Sequence, residues 1–320
     1  MNIIITGSVA YDYIMYFPGY FRDHLLPDRL DSISLSFLVE SMVRRRGGTA
    51  PNIAYSMALL GGQPRILATV GEDFEEYRLF LESKGVDTSL MQVIPGEFTA
   101  SFFANTDRAN AQIASFYPGA MAYAGDLSLI NIQIQQPDLV VISPNDPKAM
   151  VRYVEECHQL NVPYFYDPSQ QIPRLSDDNL CYGVEGAQAL FINDYEFGLI
   201  NKCTGLTPKQ ILKKSEFIVV TRGMSGSTIY TQEDEVSVPI VPPERVSDPT
   251  GVGDAFRGGF LTGYSHRLDW ETCGRMGALS ATYCLEHKGS QGHEFTPQEF
   301  IIRFRSHFDD GGQLDKIFIT

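Results

Sequence analysis

The stretch that decides the fold reads DPTGVGDAFRGGF, from Asp248 to Phe260. It places four glycines and two carboxylates within thirteen positions. The glycines on either side of Val252 expose backbone N–H groups, and the run from Asp254 to about Arg267 predicts a helix whose small residues permit close packing. Exposed N–H groups at the start of a helix are typical of an anion-binding site.

Asp254 lies inside this turn, where its carboxylate would repel a phosphate unless it had a proton to accept. Phosphoryl transfer provides that proton, because it needs a positioned hydroxyl, a base and donors around the transferring group. We therefore predict Asp254 as the general base and the N–H groups of Gly251, Val252 and Gly253 as the anion hole. Alternatively, Asp254 only caps its helix. Capping explains the carboxylate but not the two glycines.

Composition narrows the class of protein. The 320 residues suffice for one large α/β domain or two smaller ones, and a formal net charge of −14 disfavours nucleic acid as a partner. The five cysteines include no CxxC pair, which favours reduced thiols in the cytoplasm, and the six histidines lack zinc-site spacing. No basic leader and no run approaching ~20 apolar residues is present, so we expect a cytoplasmic protein that does not bind membranes.

Short β-branched or aromatic runs recur along the chain and predict buried strands. These runs are Ile3–Thr6, Arg65–Val70, Leu139–Ser143, Tyr164–Tyr166, Ala189–Ile192 and Phe217–Thr221. Helical patterns alternate with them at 52–60, 74–84, 147–160, 208–214, 254–267, 273–287 and 297–307. The alternation predicts an α/β fold with a doubly wound, mostly parallel sheet flanked by helices.

Two segments, at about 13–46 and 99–123, break this alternation and have the period of strands separated by turns. We expect them to form a small antiparallel β lid on a single domain that spans residues 1–320. Because exposed lid strands can pair with another copy, we also expect a homodimer formed through the lids.

Polar turns follow the predicted strands, and they read GSVAYD, SPND, DPSQQ, NDYE and TRGMSG. Each alone is ordinary turn chemistry. Together they indicate a cleft at the carboxyl edge of the sheet, where ligands of such folds bind. The first turn has only Gly7 in place of the GxGxxG of dinucleotide-binding enzymes, and the P-loop pattern is absent.

The stretch from Asp248 to Phe260 resembles the C-terminal signature of the ribokinase family of carbohydrate and nucleoside kinases. RGGTAPNIAYSMALLGG, at 46–62, resembles the family's diglycine motif, and NDYE, at 193–196, resembles its NxxE motif. The likeness covers nearly the whole chain and implies the ribokinase-like fold, ATP and Mg²⁺. Within the family, SFYPGAM and DPSQQ are most similar to adenosine kinases of the actinobacterial type, which implies adenosine as substrate, AMP and ADP as products, and a role in purine salvage.

The resemblance also implies roles on the nucleoside side. Asp254 would take the proton of the ribose 5′-hydroxyl, and Asp12 would accept hydrogen bonds from the 2′- and 3′-hydroxyls, with Gly48 and Asn52 completing the sugar site. A carboxylate suits a cis-diol because it accepts from both groups. The alternative for Asp12 is a turn residue that leads into the lid. For adenine, the implied residues are Phe102, Phe116, Ser8, Gln170, Gln171 and Arg174. The two phenylalanines would stack on adenine, although each taken singly is more typical of a lid core than of a ligand contact.

On the ATP side, Asn193 and Glu196 resemble the pair that organises Mg²⁺ and the triphosphate through water. Thr221, Arg222, Gly223 and Gly226 match the family's nucleotide turn, in which Arg222 replaces a more usual apolar residue. Arg222 would either add positive charge or face solvent.

Asp248, the Thr250 carbonyl and Gly289 resemble a monovalent-cation site, which implies K⁺. The run Arg44-Arg45-Arg46 is typical of a solvated face, or else one arginine steers the triphosphate or pairs with an acidic partner at the lid.

Two other functions stay open at this point. A kinase of the same family that acts on another nucleoside or on a sugar would use the same chemistry. A non-catalytic adenosine-binding protein would not need the intact Asp254 and NxxE residues.

Overall fold

The computed structural model describes residues 1–32, 34–132 and 135–318. Its strands in chain order are β1 Ile3–Thr6, β2 Ala10–Tyr16, β3 Ser41–Gly47, β4 Arg65–Val70, β5 Met91–Val93, β6 Ala100–Thr106, β7 Gln112–Tyr117, β8 Leu139–Ile142, β9 Tyr164–Tyr166, β10 Ala189–Asn193, β11 Phe217–Thr221, β12 Ser227–Thr231 and β13 Glu235–Val238. Its α-helices are α1 Thr49–Leu59, α2 Glu75–Ser83, α3 Pro147–Leu160, α4 Asp177–Gly186, α5 Asp194–Thr204, α6 Pro208–Leu212, α7 Val252–Ser265, α8 Trp270–Leu285, α9 Pro297–Arg305 and α10 Asp315–Phe318.

The main sheet has nine strands in the order β13-β12-β11-β10-β9-β8-β1-β4-β5. Neighbours from β11 through β5 run parallel, whereas β12 and β13 add an antiparallel edge. The predicted doubly wound, mostly parallel sheet is therefore confirmed, and the β12–β13 hairpin is an addition to it. Strand order reverses at β1, which is the position where open α/β sheets form their ligand crevice.

Helices cover both faces of this sheet. On β1, Ile3 and Ile5 point into the core beneath α1, α2, α7 and α8, while Ile4 points into the core beneath α3 to α6. This alternation follows from the two-residue period of a strand. Within the described ranges, none of the helices is both long enough and apolar enough to cross a bilayer.

The second sheet has four strands in the order β3-β2-β6-β7. The β2–β3 and β6–β7 pairs are antiparallel, as predicted for the lid, but the central β2–β6 pair is parallel. The predicted small antiparallel sheet is thus present, with one parallel pair at its centre. Because β2 and β6 each follow a strand of the parallel main sheet, both leave its carboxyl edge in the same direction.

Helix α7 is held between α1 and α8 by the glycines of the quoted stretch. A Cβ on Gly258 would lie 2.5 Å from the Ser56 Cβ of α1, and one on Gly259 would lie 2.4 Å from the Ser280 Oγ of α8. These distances leave no room for a side chain, so the small residues set how closely the three helices approach. The packing fixes the N-terminus of α7 at the carboxyl edge of the sheet.

Candidate active site

The turn before α7 has the geometry of an anion site. Gly251 is the N-cap of the helix and has φ of 79°, in the left-handed region that favours glycine. The N–H groups of the first helical turn, which include those of Val252 and Gly253, have no carbonyl partner within the helix. Val252 makes only a long 3.5 Å contact with the Pro249 carbonyl. The turn therefore presents donors and the positive end of the α7 dipole.

Asp254 lies half-buried in the first turn of α7. The side-chain amide nitrogen of Asn52 donates a 2.8 Å hydrogen bond to its Oδ2. Burial raises the pKa of Asp254 to about 6, while Arg257 and the Asn52 hydrogen bond act in the opposite direction. The carboxylate is thus ionised at neutral pH and is a stronger base than an exposed aspartate.

Arg257 and Asp167 form a buried ion pair behind this base. Arg257 Nη2 donates to Asp167 Oδ1 at 2.8 Å, Nε lies 2.5 Å from Oδ2, and Nη1 donates to the Gly253 carbonyl at 2.9 Å. Burial raises the pKa of Asp167, and the guanidinium opposes this rise. Sequence reasoning missed both roles, although Arg257 lies within the signature and Asp167 opens DPSQQ.

Gln291 holds Asn52 in the orientation that serves Asp254. Its Nε2 donates to Asn52 Oδ1 at 2.8 Å and to the Tyr77 hydroxyl at 2.5 Å, and that hydroxyl donates to the Gly47 carbonyl at 3.0 Å. Because the amide oxygen of Asn52 is an acceptor here, its nitrogen faces the carboxylate. Nothing in the sequence near Gln291 predicts this contact.

Asp12 and the two predicted base-stacking residues lie in one row across the lid sheet. Asp12 is directly opposite Phe102, and Phe102 is directly opposite Phe116, so the three side chains share a face. Burial raises the pKa of Asp12 to about 6, with Arg45 opposing the rise and Asp248 adding to it. The structure therefore brings Asp12, Phe102 and Phe116 together on one face of the lid sheet.

The turn after β1 meets the start of α1. Ser8 Oγ accepts from the Thr49 N–H at 3.2 Å, and Gly48 is the N-cap of α1, one turn before Asn52. Ser8 and Gly48 thus lie at the start of the helix whose next turn carries Asn52, the hydrogen-bond partner of Asp254.

Three residues predicted to contact adenine lie in different surroundings. Gln170 is exposed, and Gln171 is buried with an Oε1 atom that has no partner among the described residues. Arg174 lines a separate surface cleft with Pro147 and Lys148. The roles of these three residues stay predictions.

An apolar cavity of about 350 Å³ opens on the other side of the anion turn. Thr221, Gly223 and Gly226 of the predicted nucleotide turn line it together with Val252 and Gly253. An apolar cavity with convergent backbone donors is typical of a small-molecule site.

Arg222 has a different environment from the rest of the nucleotide turn. Its Nε pairs with Asp194 at 3.0 Å, and its guanidinium donates to the Tyr230 hydroxyl at 2.8 Å and to Thr228. Arg222 therefore joins α5 to β12 and does not line the cavity.

Asn193 and Glu196 form a capping box at the start of α5. Each side chain accepts from the other residue's N–H at 2.8 Å, and Glu196 Oε1 also accepts from the Ser169 hydroxyl at 2.9 Å. Asn193 pairs with Thr221 across β10 and β11, which places the box beside the nucleotide turn. The side chains of Asn193 and Glu196 offer oxygen atoms as ligands, which fits Mg²⁺ held through water.

The predicted potassium site does not fit a metal ion. Asp248 already accepts from the Arg45 guanidinium, the Thr250 N–H and the Gly289 N–H, and the Thr250 carbonyl faces the Cys284 thiol at 3.5 Å. A metal ion bound by Asp248 would be repelled by the Arg45 guanidinium, which already pairs with that carboxylate. In this arrangement the residues expected to bind K⁺ do not fit that ion.

The arginine run is only partly solvated. Arg44 pairs with Glu76 at 2.5 Å, Arg45 pairs with Asp248 at 2.6 Å, and the Arg46 guanidinium lies 3.6 Å from the centre of the Phe80 ring. Arg44 and Arg45 thus each pair with a carboxylate, but Glu76 lies on α2 and Asp248 precedes α7, so neither partner is the acidic lid residue that the sequence predicts.

The family model for pfkB family carbohydrate kinases matches residues 6–296. The chain belongs to this family. A carbohydrate kinase family agrees with a carboxylate, an anion turn and an apolar cavity close together at one edge of the sheet. The predicted ribokinase-like fold is confirmed.

Individual pfkB-type relatives are also similar over most of the chain. A nucleoside kinase from Methanocaldococcus jannaschii is 30% identical over 308 residues, which is 96% of this chain and 97% of the relative. The structure of a nucleoside kinase from Burkholderia thailandensis in complex with inosine is 37% identical, with a TM-score of 0.82, and covers 96% of this chain and 98% of that one. A cytidine kinase from Thermococcus kodakarensis is 28% identical over 76% of this chain and 88% of its own length. A particular likeness to actinobacterial adenosine kinases stays a prediction.

Proposed function

We propose that this protein catalyses ATP-dependent phosphorylation of the ribose 5′-hydroxyl of adenosine, giving AMP and ADP. The observation that carries the proposal is the Asp254 carboxylate, which accepts from Asn52 at 2.8 Å in the first turn of α7, beside the Gly251 turn. A base and an anion site on one helical turn bring the acceptor hydroxyl and the transferring phosphoryl group together.

The reaction follows from these positions. Asp254 takes the proton of the 5′-hydroxyl as the hydroxyl oxygen bonds to the γ-phosphorus and the bond from that phosphorus to the bridging oxygen of ADP breaks. The first-turn N–H groups of α7 stabilise the charge on the transferring oxygens. Arg257, which binds the Gly253 carbonyl at 2.9 Å, holds this turn in place.

The lid row matches a nucleoside in length. Neighbouring strands lie ~4.8 Å apart, so Asp12 and Phe116 are separated by roughly 10 Å across two strand spacings. A ribose at Asp12 would place its base over Phe102 and Phe116. The inosine bound to the relative from Burkholderia thailandensis supports a purine nucleoside as the acceptor class.

Magnesium would be held through water by Asn193 and Glu196, and it would neutralise charge on the triphosphate of ATP. Adenine of ATP would enter the apolar cavity beside Gly223 and Gly226. Glu196 keeps its position because both carboxylate oxygens accept hydrogen bonds.

A substrate panel tests the acceptor. ADP release would be followed with ATP and adenosine, inosine, cytidine, ribose or fructose as acceptor. We expect adenosine to give the highest kcat/KM, and 2′-deoxyadenosine and 3′-deoxyadenosine to have raised KM because each lacks one hydroxyl for Asp12. Preference for a free sugar would reject the nucleoside assignment, and adenosine binding without ADP release would identify a binding protein.

Another ribonucleoside is the second candidate acceptor. The relatives described as nucleoside kinase and cytidine kinase favour it, because they are similar over most of the chain. Stacking on Phe102 and Phe116 selects little among flat rings. In the panel, equal kcat/KM for adenosine, inosine and cytidine would support this candidate over adenosine kinase.

We also propose a homodimer formed through the lids. Lid strand β3 lies at the edge of its sheet and has Met42 and Val43 exposed, at 61% and 48%. Exposed apolar edge strands favour pairing with a second copy. Sedimentation of the wild type and of Val43→Lys should give a dimer and a monomer, and two identical monomers would reject the dimer.

A further inference from the structure

Arg45 connects the lid to the loop that leads into the anion turn. It lies on β3, and its Nη1 is 2.6 Å from Asp248 Oδ2. The same oxygen accepts from the Gly289 N–H at 3.0 Å, and Oδ1 accepts from the Thr250 N–H at 3.0 Å. Burial acts to raise the pKa of Asp248, but these hydrogen bonds and the Arg45 charge hold it below its usual value.

The position of Asp248 makes its charge important for the reaction. It lies three residues before Gly251, and its bond to the Thr250 N–H shapes the turn that would receive the phosphoryl group. An uncompensated carboxylate here would repel the negative charge that develops during transfer, since such charges interact strongly in a partly buried site. A neighbouring cation removes this repulsion and orders the loop.

The surrounding atoms are shaped for a guanidinium and not for a metal ion. The Arg45 side chain crosses Gly289, with its Cδ 3.2 Å from the position that a Cβ would occupy. The carbonyls of Thr250 and Ser290, which a monovalent metal would need as ligands, instead face the Cys284 thiol at 3.5 and 3.7 Å. Arg45 thus occupies the site from the lid side.

We propose that the Arg45 guanidinium is the fixed cation of the Asp248 loop, so that phosphoryl transfer by this protein does not require potassium. The proposal rests on the proposed kinase function. It also ties the cation to the nucleoside site, because Arg45 is directly opposite Asp12 in the β2–β3 ladder. A lid that is displaced from the body would withdraw the cation and the ribose carboxylate together.

The first experiment compares rates of ADP formation by the wild-type protein in potassium, sodium and tetramethylammonium chloride at equal ionic strength. We expect the same kcat in all three salts. Turnover that depends on potassium would overturn the role of Arg45 but leave the kinase function intact. Absence of turnover in every salt would instead overturn the proposed function.

The second experiment uses Arg45→Ala and Arg45→Lys, with Arg44→Ala as the matched control. Arg44 pairs with Glu76 on the other face of the strand, so we expect its loss to leave kcat unchanged. Arg45→Ala should lose at least about tenfold in kcat, as expected when a preorganised charge is removed from such a site. Arg45→Lys should keep most of the rate, because the contact to Asp248 uses a single nitrogen.

Chemical rescue distinguishes an effect of the Arg45 charge from a purely structural effect of its side chain. Guanidinium chloride at non-denaturing concentrations, or potassium chloride, should restore part of the kcat of Arg45→Ala, while tetramethylammonium chloride should not. Unchanged kcat in Arg45→Ala would overturn the proposal. So would a loss that neither cation restores, or an Arg45→Lys variant as impaired as Arg45→Ala.

Discussion

The side-chain amide of Asn52 donates a 2.8 Å hydrogen bond to the Asp254 carboxylate, although 202 residues separate the two along the chain. Asn52 lies on α1 and Asp254 on α7, and these helices pack closely at Gly258. The contact therefore joins the diglycine motif to the C-terminal signature at one carboxylate. The position of the Asp254 carboxylate depends on packing between two helices as well as on its own helical turn.

Replacement of Asp254 by asparagine removes the proton acceptor and keeps the shape of the side chain. We expect kcat to fall by about 10²–10⁴-fold, the usual contribution of a general base. Adenosine affinity, measured by calorimetry without ATP, should change little because Asp12 and the lid phenylalanines are intact. A decrease in kcat below about tenfold would show that the carboxylate is not the base.

Replacement of Asn52 by alanine should move the acid limb of the pH–rate profile. The hydrogen bond from Asn52 stabilises the ionised form of Asp254, whose pKa is about 6, so its removal raises that pKa. Since only the ionised form accepts a proton, kcat should begin to fall at a higher pH than in the wild type. The measurement is kcat at saturating substrate from weakly acidic to weakly alkaline pH.

Ser56→Ala is the control for this change. Ser56 lies one turn further along α1, and its hydroxyl has no hydrogen-bond partner among the described residues. Its profile should match the wild type. If Asn52→Ala has the same acid limb as Ser56→Ala, then Asn52 does not tune the base.

Much of this architecture is readable from the sequence, because strands β1, β4, β9 and β11 are short apolar runs with turns at both ends. The predicted start of α7 at Asp254 is two residues late, because the glycines of its first turn are not typical of a helix. Helices α4 and α5 were missed. Each buries only a few apolar residues, and each begins at a capping side chain, that of Ser176 or Asn193.

The candidate site also has some parts that the sequence reveals and others that it does not. Asp254 and the glycine turn are recognisable because the predicted base and the predicted anion hole lie within a few consecutive residues. The Arg257–Asp167 pair spans 90 residues and the Gln291–Asn52 contact spans 239, so they arise only when the elements pack. Local patterns carry no information on such contacts, and a single sequence cannot reveal them.

The lid row predicts a difference between the two faces of the small sheet. Phe116 is 48% exposed and shares its face with Asp12, whereas Phe103 lies on the opposite face and stacks on Tyr13 at 4.8 Å. Phe116→Ala should weaken adenosine binding by about 5- to 150-fold, since stacking on a base contributes ~1–3 kcal/mol. Phe103→Ala should leave the affinity near that of the wild type. Equal losses in both variants, measured by calorimetry, would contradict stacking of the base on Phe116.

The packing of α7 predicts opposite stability changes for two helical glycines. Gly258→Ala would place a Cβ 2.5 Å from the Ser56 Cβ and 2.7 Å from the Ile53 carbonyl, so the helices must separate. We expect the free energy of unfolding to decrease by about 1–3 kcal/mol, as for overpacked cores. The displacement should also lower kcat, because it moves Asp254 away from Asn52.

Gly198→Ala is the matched control. Gly198 lies within α5, is exposed, and has no atom within 4 Å of the added Cβ, so alanine should increase the free energy of unfolding by about 0.5–1 kcal/mol through its helix propensity. Chemical denaturation of both variants, with kcat measured in parallel, checks the pair. A Gly258→Ala protein as stable and active as Gly198→Ala would mean that α1 and α7 tolerate separation, and that close packing does not hold Asp254 in place.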